Sequence, residues 1–179
     1  RRERGARGRR AGDGIPEIWL AIYSADCVSV LVCDPASPAV AAVHAGWRGT
    51  AAGIVPATLR RMHEVFGSRP SRCLVALGPA IGGCCYEVDA PVAQAMDKTP
   101  WWPELTAIAR PGRRPGVWYL DLREAVRRQL MAEGVSPSHI EAVPGCTMCR
   151  PDLFFSYRRD RVTGRMAACI RLSERAKRE

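Results

Sequence analysis

No run of eighteen residues in this 179-residue chain is free of charged side chains, so no segment reads as a membrane-spanning helix. The N-terminus opens on arginines instead of a short charged start followed by an apolar run, and this excludes the pattern of a secretory signal. No segment repeats another. Histidine is scarce, with three residues at positions 44, 63 and 139. The glycine-rich stretch at residues 78–83 matches neither the dinucleotide fingerprint nor the P-loop. What is present is one domain's length of chain with 47% apolar residues, long enough for a hydrophobic core.

Charge and cysteine are the two compositional excesses. Lysine plus arginine number 27 against 18 acidic residues, a net charge of +9. The excess is concentrated at the start, where Arg1, Arg2, Arg4, Arg7, Arg9 and Arg10 oppose Glu3 alone. Residues 1–16 read as a disordered arginine-rich tail, 17–173 as a single domain and 174–179 as a charged C-terminal tail. No interleaved aromatics accompany the arginines, which argues against a nucleic-acid partner. Eight cysteines without a secretion signal read as thiols or ligands, which places the protein in a reducing cytoplasm. The first residue is Arg, not Met, so the chain is expected to begin inside a longer reading frame.

Hydrophobic patterning predicts strands over residues 18–23, 28–33, 39–43, 73–77, 117–120, 140–143, 154–159 and 166–172, the last two forming a hairpin. A helix is predicted with Ile54, Val55, Leu59, Met62 and Phe66 on one side, Thr50 as its cap and Gly67 as its stop. Pro56 inside it predicts a kink or a late start. A second helix covers 122–133, with Leu122, Ala125, Val126, Leu130 and Met131 inward and Gly134 ending it. Residues 100–116, rich in proline and tryptophan, read as a loop. Strands separated by helices imply an α+β or α/β layer fold built on mixed β-sheets.

The sharpest chemistry concerns Cys27 and His44. If strands 28–33 and 38–43 form a hairpin in which Cys33 faces Pro38, facing positions sum to 71, and Cys27 then faces His44. Their Cβ atoms would be about 5 Å apart, a gap that a zinc ion spans with bonds of roughly 2.3 Å to sulfur and 2.0 Å to nitrogen. On the residues alone, three readings share this pair: a metal site, a Cys/His hydrolase dyad, or a buried thiol beside a hydrogen-bonded imidazole.

Several segments carry a resemblance: Ser24-Ala25-Asp26-Cys27, Val43 through Gly53 with its His-Ala-Gly-Trp-Arg-Gly core, Leu77 through Gly82, Cys84-Cys85-Tyr86-Glu87-Val88, Cys146-Thr147, and Phe154 through Asp160 followed by Thr163 through Ala167. In this order they resemble the YfiH or laccase-domain family, over about residues 20–172. The resemblance implies a YfiH-like α+β fold and a zinc-dependent phosphorylase of adenosine, inosine, guanosine and methylthioadenosine, with adenosine deaminase activity in the same site. Its partners would be purine nucleosides and phosphate, and the metal ligands would be Cys27 and His44. The family's third ligand is a histidine in a Gln-Val-His-Gly segment further towards the N-terminus. No segment here matches it, so the chain reads either as N-terminally truncated or as having its site completed differently, and impaired catalysis is expected. Copper, suggested by the family's older name of polyphenol oxidase, ranks below zinc because one thiolate and one imidazole are too few for a multicopper centre. A hydrolase role in peptidoglycan-precursor editing is the alternative.

Two further residues are read as catalytic. Arg48, ahead of the helix opening near Thr50, is suited to phosphate, and a surface arginine against Trp47 is the plainer alternative. Asp26 is placed to act on a water or a ribose hydroxyl, or to orient its loop by hydrogen bonds. Cys84-Cys85 and Cys146-x-x-Cys149 suggest a four-thiolate zinc. Adjacent cysteines are poor chelate spacing, however, so buried thiols are expected instead. Arg158, Arg159 and Asp160 read either as a substrate-closing group or as a solvated ion cluster.

Overall fold

The structure, a computed structural model, describes residues 9–10 and 18–172. Most of the arginine-rich tail and the C-terminal tail lie outside the described residues. Arg9–Arg10 (β1) forms a two-residue edge strand. Then follow β2 (Leu20–Ser24), β3 (Val28–Asp34), β4 (Ala39–Ala45), α1 (Trp47–Ala51), α2 (Ile54–Phe66) and β5 (Leu74–Leu77). The second half holds β6 (Glu87–Val88), α3 (Ala90–Asp97), β7 (Ala109–Pro111), β8 (Trp118–Leu120), α4 (Leu122–Ala132), β9 (Ile140–Ala142), α5 (Tyr157–Asp160) and β10 (Met166–Ile170). No described helix is long and apolar enough to cross a membrane.

The central sheet runs β1-β4-β3-β5-β9, antiparallel except for the parallel pair β5–β9. Such a parallel step requires a long crossover, and α3, the small sheet β6-β8-β7 and α4 supply it. β10 pairs with β2 in a separate two-stranded ladder. This is the mixed-sheet α+β architecture expected from the sequence.

The β3–β4 register differs from the expected one. Val28 faces Ala45, Ser29 faces His44 and Cys33 faces Val40, so facing positions sum to 73 and His44 lies opposite Ser29, not Cys27. Pro38 has no N–H to donate and makes a poor closing pair in a ladder. Asp34 and Ala39 close the hairpin instead, with the Asp34 carboxylate accepting from Ala36 N at 3.0 Å inside the turn. A displacement of two positions keeps every side chain on its original face.

The helix expected after His44 is two helices. α1 begins at Trp47, and Thr50 is buried within it instead of capping α2, which starts after Gly53 in a left-handed conformation at φ 72°. Pro56 therefore falls in the first turn of α2, where its missing N–H costs nothing, and Gly67 at φ 68° ends the helix. Val55, Leu59 and Met62 seal one side of the sheet. In α4 the inward set is Leu122, Ala125, Val126, Gln129 and Leu130, whereas Met131 is exposed. Helical spacing from Leu122 and Val126 turns position 129 to the core, and Gln129 Nε2 donates to Thr50 O at 2.7 Å, tying α4 to α1.

Two other expectations are corrected. Residues 154–159 form no strand: Ser156 caps the short helix α5, accepting from Arg159 N at 3.2 Å, so β10 pairs with β2 instead of closing a terminal hairpin. The 100–116 segment carries β7 and buries Trp102, whose Nε1 donates to Met96 O at 3.1 Å.

Candidate functional site

Cys27 lies between β2 and β3, one position beyond the last β3–β4 pair, beside Gly46. A Cβ on Gly46 would stand 3.0 Å from Cys27 Sγ and 3.9 Å from His44 Nε2, so thiol and imidazole face the same small space. Gly46 has φ −82°, which any residue adopts, so room for these two side chains is what glycine provides there. Cys27 is half-buried and His44 exposed. Burial and the Asp26 carboxylate push the Cys27 thiol above its ordinary range, with Arg165 pulling it down. Thus the structure brings Cys27 and His44 together by way of Gly46, not by a facing pair. His63 instead stands on α2 with Nδ1 3.0 Å from Ser68 O, and His139 ends a short turn before β9.

Asp26 is buried and sits at φ 89°, a conformation that costs a non-glycine residue energy and persists only when its surroundings hold it. They do so here. Oδ1 accepts from Thr147 Oγ1 at 2.6 Å, Oδ2 accepts from Arg158 N at 2.6 Å, and the Asp26 carbonyl accepts from Ile81 N at 3.0 Å. One residue thereby joins the Cys27 turn, the glycine-rich loop, the Cys146 turn and α5. Both carboxylate oxygens are thereby engaged.

Arg158, Arg159 and Asp160 are not a solvated cluster. Arg158 donates to Glu87 O at 2.8 Å and lies 5.1 Å from the Tyr86 ring centroid, while Arg159 reaches Thr147 O at 2.8 Å and Phe154 O at 3.1 Å and also pairs with Asp160. The glycine-rich loop is held in place by its own backbone donors. Gly78 N and Ile81 N are spent on Ser29 O and Asp26 O, and Gly82 N is spent on Cys146 Sγ.

Next to this network opens a cleft of about 570 Å³ lined by Trp47, Arg48, Tyr86, Glu87, Val88, Asp89, Pro91, Val92, Arg114, Val117 and Arg158. Arg48 stands 4.4 Å above the Trp47 ring, so the stacking expected of a surface arginine and a position on the cleft wall coexist. Burial and the charge of Cys27 push the Tyr86 hydroxyl up to about 12, with Arg158 and Arg48 acting against them. Sequence reasoning missed Tyr86, Arg114 and Thr147 because a tyrosine, an arginine or a threonine carries no spacing signal of its own.

Four further cysteines contradict the expectation of buried thiols. Cys84, Cys85, Cys146 and Cys149 bring their sulfurs within 4.8 Å of one another, and only Cys146 is buried. Among the described residues this is the one grouping of three or more His, Cys, Asp or Glu ligand atoms.

Residues 13–173 match a family described as Multi-copper polyphenol oxidoreductase laccase. The chain is 44% identical over 154 residues to "Purine nucleoside phosphorylase YlmD" of Geobacillus stearothermophilus, covering 86% of this chain and 56% of that protein. It is 40% identical over 144 residues to "Purine nucleoside phosphorylase" of Bacteroides thetaiotaomicron, covering 80% and 53%. Among solved structures, a hypothetical protein YfiH of Bacillus licheniformis superposes with a TM-score of 0.81 at 39% identity, covering 87% of this chain and 58% of that one. YlmD of Geobacillus stearothermophilus superposes at 0.80, covering 88% and 58%. The chain thus spans a little over half the length of the relatives it matches. Because the match runs across nearly the whole described fold and includes the Cys27, His44 and Asp26 segments, this chain belongs to the multi-copper polyphenol oxidoreductase laccase family, in its YfiH and YlmD branch.

Proposed function

We propose that the chain belongs to a zinc-dependent purine nucleoside phosphorylase acting on adenosine, inosine, guanosine and methylthioadenosine, with adenosine deaminase activity in the same site. The observation that carries this reading is the cleft, whose wall combines the rings of Trp47 and Tyr86 with the guanidinium groups of Arg48, Arg114 and Arg158. Its volume lies in the range of small-molecule pockets, about 300–1,000 Å³. Flat rings suit a purine, and guanidinium forks suit phosphate oxygens. The relatives named as purine nucleoside phosphorylases support it.

In phosphorolysis a phosphate oxygen forms a bond to ribose C1′ as the glycosidic bond breaks, and the purine leaves with the electron pair. Arg48 and Arg158 would hold phosphate on the cleft wall, Tyr86 would orient the base, and Asp26 would keep Arg158 and the Cys27 turn in place. Cys27 and His44 would be two of the zinc ligands; a thiolate and an imidazole facing one space are a donor set zinc favours. When bound, zinc supplies Lewis acidity. The single imidazole among these donors argues for zinc over a multicopper centre. The hydrolase alternative would use the same two side chains, Cys27 as nucleophile and His44 as its base, with no metal.

The test is phosphate-dependent release of hypoxanthine from inosine, with ammonia release from adenosine in parallel. Cys27→Ser and His44→Ala should each abolish turnover. Zinc-loaded protein that releases no base from any of the four nucleosides would overturn the reading. Activity that survives chelation but not thiol alkylation would favour the hydrolase.

A further inference from the structure

We infer that Cys84, Cys85, Cys146 and Cys149 form a second metal site, a structural tetrathiolate for zinc, separate from Cys27 and His44. In a tetrahedral zinc site with bonds of about 2.3 Å the sulfurs lie about 3.8 Å apart. Here Cys149 Sγ lies 3.7 Å from Cys84 Sγ and 3.3 Å from Cys85 Sγ, and all four sulfurs fall within 4.8 Å of one another. That arrangement has the dimensions of four ligands around one ion and is too tight for an iron–sulfur cluster between them. A disulfide would use two of the sulfurs and leave two beside it.

The surrounding backbone is shaped for the same end. Gly82 N donates to Cys146 Sγ at 3.1 Å, the kind of N–H contact that supports a ligating sulfur. The turn that carries Cys146 and Cys149 folds back on itself, with Cys149 N and Arg150 N both donating to Cys146 O. Arg123, from α4, clamps the approach to this turn through Val143 O at 2.8 Å and Gly145 O at 2.6 Å. A Cβ on Gly82 would press on Cys146 Cβ and Cys84 Sγ at 3.3 Å each, so a glycine keeps the space between the two loops for sulfur. The adjacent pair Cys84 and Cys85 is carried on a tight turn in which Cys85 N and Tyr86 N both donate to Gly82 O. Soft sulfur-only donors in this geometry select zinc over harder divalent ions.

The place of the site explains its use. Tyr86, on the cleft wall, directly follows Cys85, and Thr147, which holds Asp26, lies between Cys146 and Cys149. Metal at the four sulfurs would pin residues 82–85 to residues 146–149 behind the cleft, fixing both residues at once.

The experiment uses the full chain, purified under a thiol reductant from zinc-supplemented cells, with metal measured by inductively coupled plasma mass spectrometry. A Cys27→Ser/His44→Ala double variant should retain one equivalent of zinc, and adding Cys149→Ser should remove it. Cobalt loaded into the double variant should show the intense sulfur-to-cobalt and visible bands of four-sulfur tetrahedral coordination. If the double variant does not fold by circular dichroism, cobalt titration of the unmodified chain reads the same bands. Absence of these bands in folded protein overturns the inference, as does a cysteine–cysteine bond among the four in reduced preparations. Inosine phosphorolysis by protein with no metal at these sulfurs would leave the nucleoside reading standing and remove this one.

Discussion

Gly46 and Asp26 do opposite jobs around the same thiol: one leaves space, the other fills it with fixed polar contacts. A Cβ at position 46 would come within 3.0 Å of Cys27 Sγ, and the thiol can escape by rotating about its own χ1. Gly46→Ala should therefore keep the fold, at a stability cost of about 1–3 kcal/mol for overpacking, while turning the sulfur away from His44. Zinc bound at this pair should fall several-fold, and the urea midpoint should drop in step with that cost; unchanged zinc affinity would show that the two side chains do not share an ion. Asp26→Asn keeps the size and tolerates the positive φ, but presents an amide NH₂ to either Arg158 N or Thr147 Oγ1, which now donate to the carboxylate at 2.6 Å each. Hydrogen bonds to a charged group contribute about 1.5–3 kcal/mol, so urea unfolding should lose about that amount.

The β3–β4 hairpin shows how far the chain could be read before its coordinates. Strand positions, the α+β class and the helix stop at Gly67 follow from patterning and turn chemistry, both local. The register depended on the closing pair, and Pro38 already argued against pairing with Cys33, a signal as legible as the glycines. The four-sulfur group and the Asp26–Thr147 bond join residues 60 to 120 positions apart, which no local pattern contains. The same hairpin yields a pH prediction. The Asp34 side chain is wholly buried; burial opposes its ionisation, but the N–H groups of Arg69 and Ala36 and the Arg72 guanidinium at 2.9 Å outweigh it and hold the carboxyl below its ordinary range. A carboxyl held low in the folded state stabilises at all pH values above its unfolded pKa of about 3.9, and that stability is lost as pH falls through the folded value. Unfolding free energy should accordingly decline below about pH 4, and Asp34→Asn should flatten the decline while lowering stability at neutral pH by on the order of 2 kcal/mol. A decline as steep in the variant would assign the acid sensitivity to other carboxylates.

Across the molecule, the two ladders that meet near Cys27 differ in support. β3 lies in the middle of five strands, paired on both sides by β4 and β5, with Val28, Val30 and Val32 almost wholly buried. β2 and β10 form a ladder only with each other among the described residues, pack against β3 and β4 on one side, and leave Tyr23 65% exposed. A two-stranded ladder depends on such packing for its stability, and closing this one joins segments far apart in the chain, so its loop-closure entropy is large. β10 should open well below the global unfolding free energy, whereas β3 should open only with it. Native-state hydrogen exchange read by mass spectrometry should show residues 166–170 and 20–24 exchanging together and first, and residues 28–34 last. The segment before β10 carries Arg165, whose charge reaches Cys27, and α5, whose Arg158 lines the cleft and is held by Asp26. Opening of β10 would thus loosen one wall of the site while leaving the sheet and His44 in place. Phosphate and inosine together should slow exchange in residues 157–170 by as much as in 28–34, because both openings destroy the cleft. Slowing confined to residues 28–34 would mean that β10 opens without disturbing the cleft and is not its movable edge.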